Sequence, residues 1–323
     1  MERARNVLAA VTVAACLPYL TLKLVWLSGG RLGIPRGSPL LDSGATMWAL
    51  NALTVAMDGT VVLLVLALTR PWGRRLPGAV VALPLWIACG LLGPIVVAFP
   101  VQLLHGVLGG SGGDGSDKGA DGLLESWVWT LVYTGFSVQA IALGALFVLY
   151  VRDRWGALLR SPLYPPYPGT AAPDGPGGVH HRRRGLFAAA VLVALPWAVG
   201  QAVWMTEGSA DSRIVDATFL LYAVLAVAAV AKLLRTGGTE RGATARLWPT
   251  LAAAWSGTGV LACWGGWLLL GALSGGGRTL GQETSGTALL AYSCQALAGL
   301  LLAALGARQL RHRARTHSRG ATV

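Results

Sequence analysis

GAVVALPLWIACGLLGPIVVAFPVQLLHG, residues 78–106, runs 29 positions without an aspartate, glutamate, lysine or arginine. As a helix rising 1.5 Å per residue it would be roughly 44 Å long, more than the ~30 Å hydrocarbon core of a bilayer. An uncharged run of this length marks a membrane span. Pro84, Pro94 and Pro100 lie inside it, so the helix is expected to kink, with a break near Gly93-Pro94.

Working outward, seven further apolar segments of similar kind appear: 7–28, 46–69, 123–151, 185–206, 213–234, 248–274 and 285–307. The alternating ten-residue strands of a membrane barrel are absent, so helices must satisfy the backbone. The expected fold is all-α and polytopic, with eight transmembrane helices. Composition agrees. The chain has 323 residues, of which 54% are hydrophobic and only 12% charged, with a mean hydropathy of +0.57. A water-soluble domain carries about 25% charged residues, and the eight spans leave no room for one of ordinary size.

The net charge of +12 would suit nucleic acid if it formed a patch. Instead the charges sort by membrane side. With both termini placed in the cytoplasm, twenty of the 26 lysines and arginines fall on the cytoplasmic side. Five (Arg31, Arg36, Lys118, Arg213, Arg278) fall outside, and Lys23 lies within the first span. This is the positive-inside pattern, obeyed in every loop, and it predicts a plasma-membrane protein with cytoplasmic ends. Nucleic acid is not an expected partner; the bilayer is, with anionic lipids at the basic cytoplasmic loops. The first apolar segment runs on from Cys16 to Leu27 without a polar break, so it reads as an uncleaved helix and not as a signal peptide. Tryptophans such as Trp26, Trp48, Trp127, Trp204 and Trp248 cluster near span ends, where an aromatic belt places them.

Residues 152–184 carry Pro-Leu-Tyr-Pro-Pro-Tyr-Pro, a Gly/Pro-rich stretch and His-His-Arg-Arg-Arg, a composition that builds no core. They divide the chain into a four-helix half (1–151), a linker (152–184), a second half (185–307) and a basic tail (308–323). The halves share scarce residues at fixed spacing. Leu17-Pro18-Tyr19, Lys23 and Trp26 match Leu195-Pro196-Trp197, Gln201 and Trp204. Phe136-Ser137-x-Gln139 and Arg152 match Tyr292-Ser293-x-Gln295 and Arg308. Spans two and six align poorly. A tandem duplication is expected, with parallel copies because each has an even number of helices.

Trp26-Leu-Ser-Gly29-Gly30-Arg-Leu-Gly33 resembles the W-x-x-G-G-x-x-G signature of short, uncharacterised four-helix bacterial membrane proteins. The second half has Trp204-Met-Thr-Glu-Gly208 in its place, so the resemblance covers about the first 35 residues. It implies a tandem membrane bundle and no particular chemistry.

Catalytic patterns are missing. There is no H-E-x-x-H, and Trp255-Ser256-Gly257 is not a G-x-S-x-G. The Gly-rich run 109–115 lacks the Lys-Ser/Thr of a phosphate loop and reads as linker, and the only histidine near a span is His105. Cys16, Cys89, Cys263 and Cys294 lie singly in apolar segments and read as small buried residues. Asp211 and Asp216, five apart at a helix start, read as caps before metal ligands. No cofactor, metal or enzymatic activity is expected. Polar groups inside the bilayer are the candidates that remain: Lys23, Asp58, Gln139 and Gln295. Lys23 can snorkel to the outer headgroups or reach inward to Asp58. The two glutamines, one per half, are expected to face inward and approach each other across the duplication axis. These features favour a transporter-like or permease-like bundle with a polar path between the halves. The alternative is a non-enzymatic scaffold or accessory subunit with basic cytoplasmic loops. An intramembrane lipid-modifying enzyme is least favoured.

Overall fold

A computed structural model describes residues 2–41, 44–108, 123–163, 178–235, 246–274 and 285–320. Residues 109–122, expected to face outward, and the middle of the Pro/Gly-rich linker, 164–177, lie outside the described residues. The described helices are α1 (Glu2–Leu27), α2 (Gly44–Thr69), α3 (Gly78–Val107), α4 (Ser126–Arg160), α5 (Gly178–Glu207), α6 (Ala210–Leu234), α7 (Leu247–Leu273) and α8 (Gly286–Gly320). All eight are long and apolar enough to cross a membrane, so the polytopic all-α expectation holds.

The bundle is apolar outside, and several polar side chains lie within its otherwise apolar core. Leu63, Ile141, Val148, Leu192 and Val224 are largely exposed, whereas Asn51, Asp58, Gln139, Gln201 and Gln295 are buried. That inversion suits lipid as the surrounding solvent. Trp48, Trp72, Trp127 and Trp248 are exposed near helix ends, as interfacial anchors are.

Several helices outrun their apolar spans. α4 continues to Arg160, α5 begins at Gly178 and α8 reaches Gly320, so both ends of the linker and most of the tail are helical. Hydropathy marks where lipid stops and not where a helix stops; the extensions are rich in arginine, a good helix former in water. Trp155 breaks helical geometry in α4 (φ −130°, ψ 22°) just past the apolar stretch.

α3 does not break at Gly93-Pro94. It stays one helix through all three prolines, and near Pro94 the second half donates hydrogen bonds to its backbone. Tyr222 Oη of α6 donates to the Gly93 carbonyl (3.1 Å) and Trp264 Nε1 of α7 donates to the Leu91 carbonyl (3.0 Å). One turn away Trp86 Nε1 donates to Thr258 Oγ1 (3.3 Å). α3 and α7 thus form the seam between the halves.

Within each half the neighbours correspond: α1 packs on α2 and α4, and α5 on α6 and α8. α7 is the hub, lying against α3, α6 and α8. Small residues permit this, as usual in membranes. A Cβ on Gly257 would meet the α6 backbone at 2.6 Å, one on Gly90 the Gly259 carbonyl at 2.4 Å, and one on Gly265 the Ala296 amide at 2.5 Å.

The Trp26–Gly33 stretch closes α1 with a compact turn. Trp26 Nε1 donates to the Leu32 carbonyl (2.8 Å), and Gly29 and Gly33 adopt φ of +87° and +72°, a region that favours glycine. Gly33 is also pressed against Val128, and its carbonyl accepts from the Glu125 amide (2.9 Å). The signature residues therefore do a structural job here, pinning the start of α4 to the end of α1.

Candidate functional site

Asn51, Thr54 and Asp58 recur at i, i+3 and i+7 on α2, which puts them on one helix face. This face meets α1 and α4. Nearest the helix ends, Lys23 Nζ donates to Asn51 Oδ1 at 2.7 Å. The ammonium also lies 5.0 Å from the Tyr19 ring centre and 4.8 Å from that of Trp26, within cation–π range. One turn deeper Tyr19 lies within reach of Thr54, whose hydroxyl donates to the Asn51 carbonyl (2.9 Å). Phe136 of α4 packs edge-on to Tyr19, with centroids 4.8 Å apart.

Deeper still is Asp58, only 5% exposed, within hydrogen-bonding reach of Gln139 on α4, which is 1% exposed. Asp58 Oδ2 and Gln139 Oε1 are both buried without a hydrogen-bond partner. The result is a polar track through three helices, starting on an ammonium and ending on two unpartnered acceptor oxygens.

Lys23 and Asp58 are near enough for the lysine charge to act on the carboxyl, yet they form no ion pair. Asn51 takes the ammonium instead. It lies seven residues closer to the helix start than Asp58, about 10 Å along the axis, so Lys23 finds a partner near the start of α2 without reaching along the bundle to Asp58. Asn51, Thr54 and Tyr19 escaped the sequence reading, which weighed ionisable groups first. The i, i+3, i+7 spacing in an apolar span was the available signal.

The second half has a related contact. Gln201 Nε2, at the place corresponding to Lys23, donates to Asp216 Oδ1 of α6 at 2.5 Å. Asp216 is therefore no cap: Ser209 caps α6, its side chain accepting from the Ser212 amide. Asp211 lies in the first turn beside His105 of α3, 3.9 Å away. No cluster of three or more metal-ligating side chains occurs among the described residues.

The two glutamines do not meet. Gln139 belongs to the Asp58 site, and Gln295, also 1% exposed, is held in α8 among α5, α6 and α7. α4 and α8 do not pack as neighbours. The seam where a shared path would run is close-packed at Gly90 and Gly259. The buried amides and carboxylates lie within the halves, Asn51, Asp58 and Gln139 in the first and Gln201 and Gln295 in the second. Comparison with protein-family models, with curated proteins and with solved structures finds no match.

A double-mutant cycle tests the Lys23 assignment. Asn51→Leu strips a charged donor of its acceptor and should cost about 1.5–3 kcal/mol. Lys23→Met/Asn51→Leu should cost clearly less than the sum of the single changes, with a coupling of about 1 kcal/mol. Equilibrium unfolding in detergent reads this out. A stronger coupling of Lys23→Met to Asp58→Asn than to Asn51→Leu would make the carboxyl the true partner.

Proposed function

We propose that this integral membrane protein is transporter-like, and that its solute site lies inside the first four helices at Asp58 and Gln139. The observation that carries this is the pair of unpartnered buried acceptors, Asp58 Oδ2 and Gln139 Oε1. A buried acceptor without a donor costs about 1–3 kcal/mol, and a chain retains such a defect where a ligand supplies the donor. The fitting ligand carries N–H or O–H donors and suits a carboxylate: a proton carried by water, or a small amine. Lys23, Asn51, Tyr19 and Thr54 line the way from the helix ends to that point. The basic end of the bundle faces the cytoplasm in this proposal, on the strength of the positive-inside pattern.

The arrangement also supports the duplication. Taking Asn51 of α2 to correspond to Asp216 of α6 brings buried Val61, Leu64, Val65 and Leu68 onto buried Ala226, Ala229, Val230 and Leu233. Both halves then join their first two helices by a side-chain donor on the first and an acceptor on the second.

The test uses full-length protein in liposomes, with a trapped pH-sensitive dye for protons and labelled methylammonium for amines. Wild-type protein should conduct at least one of them. Asp58→Asn should lower the flux tenfold or more, and Asp211→Asn should leave it unchanged. Equal flux through wild type and Asp58→Asn, for both probes, would remove the transport reading.

A further inference from the structure

At the opposite end of the same four helices, the start of α1, the turn Pro71–Arg75 and the end of α4 enclose a cleft lined by Arg5, Arg74, Tyr150, Asp153 and Arg154. Three guanidinium groups face one carboxylate there, a net charge of +2. We infer that this cleft holds the phosphate of an anionic phospholipid headgroup.

Its arginines are held in place before any ligand arrives. Asp153 accepts from Arg5 and lies 3.6 Å from Arg74. Arg154 donates to the Tyr150 hydroxyl and to the Leu76 carbonyl (2.8 Å), and stacks over the Tyr150 and Trp155 rings. Tyr150 in turn donates to the Gly73 carbonyl (3.3 Å), which ties the turn to α4. The one carboxylate is shared between two arginines, so guanidinium N–H groups remain for an incoming anion. Planar, preorganised guanidinium forks match phosphate oxygens.

Depth in the bilayer selects a lipid over a soluble anion. The apolar part of α1 begins at Val7 and that of α4 ends at Val151, which puts Arg5 and Asp153 at headgroup level. Just inward, the outer surface of the same two helices is apolar, with Val7 and Val148 exposed on it, so acyl chains surround the bundle at this level. Trp72, two residues before Arg74, is 45% exposed and suits the interface. A headgroup phosphate with its tails thus meets charge, an aromatic and apolar surface in the right vertical order; free phosphate would use only the first.

The full chain in neutral detergent is titrated with short-chain phosphatidylglycerol, phosphatidylcholine or inorganic phosphate. Melting temperature and native mass spectrometry are followed. Phosphatidylglycerol should stabilise the protein and remain bound, and the other two should do so far less. Arg74→Gln, at an exposed guanidinium, should weaken phosphatidylglycerol binding about fivefold, the usual worth of one basic residue at an anionic surface. Asp153→Asn should strengthen it by a similar factor, which a purely structural ion pair would not do. Arg308→Gln, exposed on α8 just past its apolar span and outside the cleft, should leave it unchanged. Equal losses for Arg74→Gln and Arg308→Gln would reduce the effect to diffuse attraction and overturn the site. Equal protection by inorganic phosphate or by phosphatidylcholine would overturn the anionic-lipid assignment.

Discussion

Gly299→Leu is expected to unfold or split the second half of the bundle, at a cost of about 3 kcal/mol or more. A Cβ at this position would lie 2.3 Å from the Ala262 amide nitrogen and 2.8 Å from its Cα. From the facing side a Cβ on Gly265 would meet the Ala296 amide nitrogen at 2.5 Å and the Tyr292 carbonyl at 3.0 Å. Ala262-x-x-Gly265 on α7 and Ala296-x-x-Gly299 on α8 therefore interlock, backbone against backbone. No side-chain rotation relieves such a clash, so the helices must separate and give up their dispersion contacts together. Overpacking usually costs about 1–3 kcal/mol, and an obstruction made wholly of backbone belongs at the upper end or beyond. Gly266→Leu is the control: a Cβ there meets nothing within 4 Å, and the change should stay within about 0.5 kcal/mol. Unfolding in detergent separates the two, and similar losses at Gly266 and Gly299 would contradict the interlock.

The second large effect has the opposite sign. Asp58→Leu/Gln139→Leu should raise stability by about 1–3 kcal/mol, since it removes two buried acceptors that lack donors and puts well-fitting apolar groups in their place. The same change should abolish flux in liposomes, the trade expected where a site is kept at the expense of stability. Asp58→Leu alone should gain less, because the Gln139 amide then loses the carboxyl within its reach. A double variant less stable than wild type would mean that Asp58 and Gln139 hold the helices together, and it would count against a solute site there.

The helices were legible in the sequence because lipid demands long uncharged runs, and the run at 78–106 already demanded a membrane. Gln139 and Asp58 were legible as burdens for the same reason. Which groups they meet was not. Asn51 is neutral and Gln201 resembles any polar residue in a helix, so nothing in the order of residues matched Lys23 to the first or Asp216 to the second. Gln139 and Gln295 share a local motif, but a motif gives the face of a helix and not the distance between helices. That distance follows from glycines such as Gly90 and Gly259, whose effect depends on what lies opposite. The donors to the α3 backbone near Pro94 are likewise Tyr222 and Trp264, more than a hundred residues away in the chain. Helices two and six share no letter-by-letter likeness, and their proposed alignment rests on which of their positions are buried, Val61 with Ala226 and Val65 with Val230.

The central place of α7 bears on how the chain is made. Its mean hydropathy, 1.3, is the lowest of the eight spans, and half of its apolar stretch is buried, the largest share among them. Of all the helices it gains least from lipid and most from its neighbours. Yet it leaves the ribosome seventh, after α3 and α6 have entered the membrane and before α8. Until then the Gly90 face of α3 stands open, and the carbonyls beside Pro94 have neither Trp264 nor a settled Tyr222 to donate to them. Insertion of α7 is thus less a partition into oil than a docking onto helices already present. The first half waits in the bilayer with an unfilled groove, and the seventh helix completes both halves at once.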